Sequence, residues 1–406
     1  MQHILVIEDS PMVLKILSYL FRREQGLEPV FCASLAEAEV MLETSAGQFF
    51  AAIVDLNLPD GPNGESVDLV MRYHLPCIVL SGSCNEQRRD ELLLKGVVDY
   101  VLKESQYSYE YAFRLLHRLE RNRRIKILIA EDSEATRRYI RHVLSPQGFQ
   151  LIDASDGNEA LRILQEQPDI DLLVVDHSMP GISGFELVKL LRQKLQRKDL
   201  IIVGLSADAK GSLSATFIKH GADDFLRKPF CPEELTCRVM SCLERRDMLE
   251  ALRHAAEYDA LTGLRNRRSF CDKAGAALSP GQQPTLAMLD LDFFKTINDH
   301  YGHAGGDAAL VAFARALKAA FPDALTGRFG GEEFVIFSQQ DSTQVRQTLE
   351  KLRQACQSLR NIQQNVPPLS FSAGVYQGPE THLEQLLQKA DQRLYQAKHQ
   401  GRGCTF

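Results

Sequence analysis

Through the first 246 residues, uninterrupted apolar runs alternate with stretches in which apolar positions recur every three or four residues, and the pattern occurs twice. Ile4-Leu5-Val6-Ile7 runs into Glu8-Asp9 as Ile127-Leu128-Ile129-Ala130 runs into Glu131-Asp132. Ala51-Ala52-Ile53-Val54 precedes Asp55 as Leu172-Leu173-Val174-Val175 precedes Asp176, and Ser81 and Lys103 return as Ser206 and Lys228. The intervening spacing (Met12, Ile16, Leu17 and Leu20, or Leu161, Ile163 and Leu164) is helical. Strands alternating with helices predict two doubly wound α/β domains with parallel sheets, residues 1–120 and 125–246. Every polar member of the repeat falls at the C-terminal end of a strand, where open α/β sheets gather ligand groups.

The rest of the chain follows another rhythm. Leu235, Val239, Met240, Leu243, Leu249, Leu252 and Ala256 lie at mostly helical intervals, so the last helix of the second unit is expected to run on as a connecting helix over 247–258. This pattern suits an ordinary amphipathic helix as well as a short coiled coil. Further on, Leu286-Ala287-Met288-Leu289 ends in Asp290-Leu291-Asp292, while Leu325 to Phe329 and Phe334 to Phe337 flank Gly330-Gly331-Glu332-Glu333. The glycines allow the backbone to turn tightly, which predicts a β-hairpin with two carboxylates at its bend. Alone, such a turn is more often only structural, and Asn298 and Asp307, each taken in isolation, are more often caps or turn residues. Period-two spacing, however, puts Asp290 and Asp292 on one side of their strand. Carboxylates gathered beside those of the hairpin repel unless a divalent cation neutralises them, and hard oxygen ligands favour Mg²⁺ alongside phosphates.

Four segments in order carry a resemblance: Asp259 to Arg268, Asp290 to Asp307, Gly330 to Phe334, and Ala390 to Lys398 with Arg402. Together they resemble the motifs of the GGDEF diguanylate cyclases, with the name motif in its Glu-Glu variant. The resemblance implies an α/β nucleotidyl-cyclase-like GGDEF domain over 259–406 with a central, mostly antiparallel sheet. It also implies conversion of two GTP into cyclic di-GMP and two pyrophosphates at a homodimer interface. Asp290, the Leu291 carbonyl, Glu332 and Glu333 would hold Mg²⁺, with Glu332, Glu333 and Lys295 catalytic. Asn298 and Asp307 would recognise guanine, Phe293 and Phe294 would line the substrate site, and Lys295, Lys398 and Arg402 would face the phosphates. One departure concerns regulation. Where many members carry an Arg-x-x-Asp product-inhibition site, this chain has Phe321-Pro322-Asp323-Ala324, so feedback of that type is expected to be absent.

The two repeated units are similar to receiver domains of response regulators. That likeness implies Asp55 and Asp176 as phosphoacceptors, and Mg²⁺ held by Glu8, Asp9 and Asn57 in one unit and by Glu131, Asp132 and Ser178 in the other. Ser81, Lys103, Ser206 and Lys228 would contact the phosphoryl group, and a cognate histidine kinase or phosphotransfer protein would supply it. Tyr100 and Phe225, three residues before each lysine, occupy the place of a switching aromatic, a place that also suits a core-edge ring. Lys228-Pro229 matches a bond that receivers typically hold cis, whereas Lys103 is followed by Glu104. The alternative is a non-catalytic, GTP-sensing or scaffolding response regulator.

Composition changes this picture little. A chain of 406 residues accommodates three domains, and its 44% apolar content fills their cores. No apolar run approaches the roughly 18 residues of a membrane span, and the N-terminus enters a strand without a signal peptide, so a cytoplasmic location away from membranes is expected. Nine cysteines without a Cys-x-x-Cys pair argue for reduced thiols. A net charge of −6 gives no support to nucleic-acid binding, and Arg118, Arg121, Arg123, Arg124 and Lys126 read as a solvated linker.

Overall fold

The computed structural model describes residues 2–24, 26–83, 85–207, 212–279, 281–358 and 369–406. It divides into two compact units, Met1–Arg245 and Arg246–Phe406.

The first unit contains one topology twice. Strands β1 (Gln2–Ile7), β2 (Leu27–Cys32), β3 (Phe49–Asp55), β4 (Cys77–Ser81) and β5 (Asp99–Leu102) form a sheet in the order β2-β1-β3-β4-β5, all parallel. Strands β6 (Lys126–Ala130), β7 (Gln150–Ala154), β8 (Leu172–Asp176), β9 (Ile201–Ser206) and β10 (Asp224–Arg227) repeat it as β7-β6-β8-β9-β10. Every residue of β3 and of β8 is buried, as parallel strands covered on both faces must be. Within the helix Pro11–Arg23 the core face is Val13, Leu17, Leu20 and Phe21; Met12, counted into that face by spacing alone, is 74% exposed.

The join between the two sheets leaves Arg121, Arg123 and Arg124 exposed, as expected of a solvated stretch, but its backbone is helical up to Asn122 and anchored rather than a loose linker. The helix Gln106–Asn122 ends on a fully buried Asn122, and β6 begins after only Arg123, Arg124 and Ile125. Asn122 Nδ2 donates to the Gln147 carbonyl at 2.8 Å, and Gln147 Nε2 donates to the Val98 carbonyl at 2.7 Å. The Arg123 guanidinium lies over the Phe50 ring, 4.3 Å from its centroid. Buried polar groups paired in this way hold a fixed geometry, because breaking them strands donors away from water.

The helix Pro232–Glu257 is continuous over 26 residues, buries Leu235, Val239 and Leu243, and exposes Met248, Leu249 and Leu252.

In the second unit, β11 (Arg265–Asn266), β12 (Thr285–Leu291), β13 (Leu325–Gly330), β14 (Glu333–Ser338) and β15 (Phe371–Gln377) form a mixed sheet ordered β11-β13-β14-β12-β15. Only β11 and β13 pair parallel; the other pairs are antiparallel, in line with the mostly antiparallel sheet expected. Phe313 packs edge-on to Phe334 at 4.8 Å and tilted against Phe371 at 5.3 Å beneath one face. The other face is covered partly by the helix Leu383–His399. It sits so close at Gly374 that a Cβ there would lie 2.1 Å from the Leu394 nitrogen.

Candidate active site

Both parallel sheets end in an acid pocket. In the first, β1 delivers Glu8, β3 delivers Asp55, and Lys103 follows β5; the lysine ammonium lies 2.6 Å from Glu8 Oε2 and 2.6 Å from Asp55 Oδ2. In the second, Lys228 lies 2.6 Å from Glu131 Oε2 and 2.6 Å from Asp176 Oδ1. One carboxylate oxygen each from Glu8, Asp9 and Asp55, and likewise from Glu131, Asp132 and Asp176, fall within 4.8 Å of one another. Such a set of hard oxygens around one lysine fits a divalent cation. Burial pushes the Glu8 and Glu131 carboxyls above their ordinary value against the pull of the lysines. Burial also works against the two ammonium groups, but their hydrogen bonds to the carboxylates outweigh it and raise both lysines.

The backbone closes each pocket. Asn57 N–H donates to Asp55 Oδ1 at 3.1 Å, and Ser178 N–H to Asp176 Oδ2 at 2.8 Å. Lys103 N–H donates to the Ser81 carbonyl and Lys228 N–H to that of Ser206, so the predicted serines and lysines stand side by side. The Lys228–Pro229 peptide is cis. Tyr100 is buried, with its hydroxyl donating to the Ser83 carbonyl at 2.7 Å, while Phe225 is half-buried against Phe217.

At the hairpin, β13 and β14 turn through Gly331 and Glu332, with Gly330 paired to Glu333 and Gly331 at a φ of 42°. The turn is braced from within. Arg328 Nε and Nη2 donate to the Gly331 carbonyl at 3.0 and 2.7 Å, and Nη1 to Asp259 Oδ1 at 3.0 Å. Asp259 also accepts from Thr262 N–H and its hydroxyl; burial disfavours its charge, yet these bonds win and hold its carboxyl below the usual range. Neither Arg328 nor Asp259 was a candidate site residue in the sequence. The available signal was a charged residue inside an otherwise apolar hairpin strand.

Asp290, at the end of β12, pairs across the ladder with Glu333, and the Leu291 N–H donates to the Glu332 carbonyl at 3.2 Å. Lys398 Nζ, expected at the phosphates, instead lies 2.6 Å from Asp290 Oδ2. Burial pushes the Asp290 carboxyl up against the pull of Lys398, and the charges of Glu332 and Glu333 add to the rise. Asp290 is 7% exposed, Glu332 half-buried and Glu333 exposed, a donor set that fits a hard cation presented with further oxygens.

Asp292 does not share this role. It lies past the strand end, and its carboxylate accepts from the Ser370 and Ser372 hydroxyls, each at 2.7 Å, and from Gly403 N–H at 3.0 Å. It anchors the turn after the last helix. Period alone placed both acids on one side, but the partners of Asp292 occupy it fully.

Phe293 is 62% exposed, in the left-handed region (φ 55°), and the Arg402 guanidinium lies 5.0 Å from its ring centroid. Phe294 packs partly into the core, and Lys295 is exposed. Gly302 breaks the helix Phe294–Ala320 with φ 70° and ψ 173°, separating Asn298 from Asp307. Asn298 is held against the second segment so tightly that a Cβ on Gly306 would lie 1.9 Å from its Oδ1. Asp307 is exposed.

A doubly wound sheet with a lysine-bridged acid pocket defines a receiver, and a mixed sheet with an acidic Gly-Gly hairpin facing a buried aspartate defines a nucleotide-cyclase fold. The family model of the response regulator receiver domain matches residues 127–240, and that of the diguanylate cyclase, GGDEF domain, matches residues 256–404. The chain belongs to the response regulators that carry a GGDEF domain. It is similar to a solved two-component system response regulator/GGDEF domain protein, at 39% identity and a TM-score of 0.55, covering 61% of this chain and 100% of that one. The diguanylate cyclase VdcA of Vibrio cholerae is 36% identical over 56% of this chain, and the response regulator PleD of Caulobacter vibrioides 28% identical over 69%. The chain spans 65% of the length of each of these two relatives.

Among the described residues, eight cysteines are free thiols, and no helix is long and apolar enough to cross a membrane.

Proposed function

We propose that the chain is a phosphorylation-controlled diguanylate cyclase with two receiver domains, joining two GTP into cyclic di-GMP with release of two pyrophosphates at a homodimer interface. The observation that carries this reading is the convergence of the Gly330–Phe334 hairpin, Asp290 and Lys398 at one end of the mixed sheet. Asp290, the Leu291 carbonyl, Glu332 and Glu333 hold Mg²⁺, which when bound neutralises charge on the triphosphate. Asn298 and Asp307 hydrogen-bond the guanine edge, beside Phe293 and Phe294. Lys295, Lys398 and Arg402 face the phosphates, and a glutamate of the hairpin accepts the proton of the 3′-hydroxyl as its oxygen attacks the α-phosphorus of the GTP in the other subunit.

The second receiver is matched by family, and the first is assigned on its identical strand order and its lysine-bridged acid pocket. Asp55 and Asp176 accept phosphoryl groups from a histidine kinase or phosphotransfer protein, with Mg²⁺ held by the acid pairs and by the Asn57 and Ser178 carbonyls. The helix Pro232–Glu257 carries the change onward, and its exposed Met248, Leu249 and Leu252 supply apolar surface for a second copy. Product feedback of the Arg-x-x-Asp type is absent, because the position of the arginine is taken by Phe321, a core aromatic only 4% exposed.

The test is to incubate the purified chain with GTP and Mg²⁺, with and without beryllofluoride, and to quantify cyclic di-GMP. We expect product that rises on beryllofluoride treatment and falls by about 100-fold or more in Glu333→Gln. A folded, activated dimer that binds GTP without making product would instead establish a GTP-sensing scaffold.

A further inference from the structure

Asp290 and Asp292 leave β12 two residues apart, and each holds a different part of the same C-terminal segment. Asp292 clamps the turn, through the Gly403 N–H and two serine hydroxyls. Asp290 holds only a side chain, the Lys398 ammonium at 2.6 Å. The helix bearing Lys398 is seated on the sheet by backbone contact at Gly374 and is pinned beyond its end by Asp292. Lys398 can therefore leave Asp290 by side-chain rotation alone, with no movement of the helix.

Charge decides when it leaves. Asp290, Glu332 and Glu333 bring three carboxyl groups together, Lys398 is the ammonium paired with Asp290, and Asp290 is the most deeply buried of the three. A buried carboxylate needs a partner, and without metal Lys398 is that partner. A divalent cation arriving alone must displace the ammonium into solvent with nothing to receive it. A cation arriving with a triphosphate brings phosphate oxygens that accept the displaced ammonium.

We propose that Lys398 is a built-in counter-cation that occupies Asp290 in the empty site and passes to the triphosphate when metal and nucleotide enter together, so that the site discriminates against metal alone. This rests on the GTP and metal reading above. By linkage, the nucleotide then strengthens metal binding by the same factor as metal strengthens nucleotide binding.

The experiment measures Mn²⁺ binding to the full chain by the electron paramagnetic resonance signal of the free ion. Asp9→Ala and Asp132→Ala are present in every sample, so that the receiver pockets do not enter the count. With Mn²⁺ alone, Lys398→Met is expected to bind about tenfold or more tightly than the parent. Lys398→Arg, whose guanidinium still pairs with a carboxylate, is expected to stay within about threefold of the parent. A non-hydrolysable GTP analogue is expected to raise the metal affinity of the parent by a larger factor than that of Lys398→Met. Equal or weaker binding of Mn²⁺ alone by Lys398→Met overturns the counter-cation role while leaving the cyclase reading intact. A parent that takes up no Mn²⁺ even with the analogue overturns both.

Discussion

The acid pockets of the parallel sheets and the hairpin site of the mixed sheet use the same two parts, carboxylates at strand ends and one lysine, and assemble them to different degrees of closure. In each pocket the lysine bridges two carboxylates that are almost wholly buried, and a third completes a cluster within 4.8 Å. At the hairpin the lysine holds one buried carboxylate, while Glu333 is exposed. On the proposed reading, a receiver pocket works on one phosphoryl group within one chain, so its own sheet can close it. On the same reading, the hairpin site accepts a nucleotide and faces a second copy, so it remains open and its charge balance is left for the substrate to complete. In the first case the lysine belongs to the fold; in the second it belongs to the ligand.

The largest expected effect tests that contrast directly. Removing Lys103 or Lys228 leaves two buried carboxylates facing each other, which costs about 3–5 kcal/mol when one partner of a buried pair is lost. Removing Lys398 leaves Asp290 near a partly open site, and about 1 kcal/mol or less is expected. Calorimetry on Lys103→Ala, Lys228→Ala and Lys398→Ala in the presence of EDTA measures all three, and Mg²⁺ should restore part of the loss in the first two. A Lys398→Ala variant as destabilised as Lys103→Ala would erase the distinction between closed and open sites.

The two kinds of site also differed in how far they could be read along the chain. The pockets were legible almost completely, because parallel βαβ units put their polar residues at one sheet edge whatever the packing details: Glu8, Asp55 and Lys103 are far apart in sequence, yet the lysine lies 2.6 Å from each carboxylate. The hairpin and its flanking strands followed from turn chemistry and apolar runs. Three features did not follow. Asp292 obeys the same period as Asp290, but its role depends on Ser370, Ser372 and Gly403, partners brought in by the end of the chain. Arg328 braces the turn through a backbone carbonyl, which no residue pattern announces. The basic stretch after Arg118 looked like a linker because charge dominates it, whereas its geometry is set by one buried amide, Asn122, and its bond to Gln147.

Arg328 supplies the next test, on the open side of the comparison alone. Its guanidinium makes two bonds to the Gly331 carbonyl and one to Asp259, so Arg328→Ala should lower the stability of the second unit by about 1–2 kcal/mol. Loosening the turn moves both glutamates, and cyclic di-GMP production should fall by about tenfold or more, as misplacement of charged groups does. Arg328→Lys should not rescue it, because an ammonium cannot reproduce the fork. Phosphorylation of Asp55 and Asp176 by a small-molecule phosphodonor should be unchanged. Activity within about twofold of the parent would show that the hairpin is held by its ladder and not by Arg328.

The smallest effect is the most discriminating, because it separates stability from activity at one carboxyl. Burial, with Glu332 and Glu333 adding to it, holds Asp290 above the 3.8 of an ordinary aspartate. Between that value and the raised one, the folded chain binds more protons than the unfolded chain, so this group's contribution to stability falls as pH rises through the window and stays low above it. Asp290→Asn removes the buried charge and leaves Lys398 free to turn to solvent. At pH 7.5 the variant should therefore melt about 1–3 °C higher than the parent while making no cyclic di-GMP. The gap should narrow as pH is lowered into that window, since the parent's Asp290 then takes up its own proton. A variant that melts lower than the parent at neutral pH would mean that the bond to Lys398 outweighs the cost of burial, and that the hairpin site is closed in the same sense as the receiver pockets.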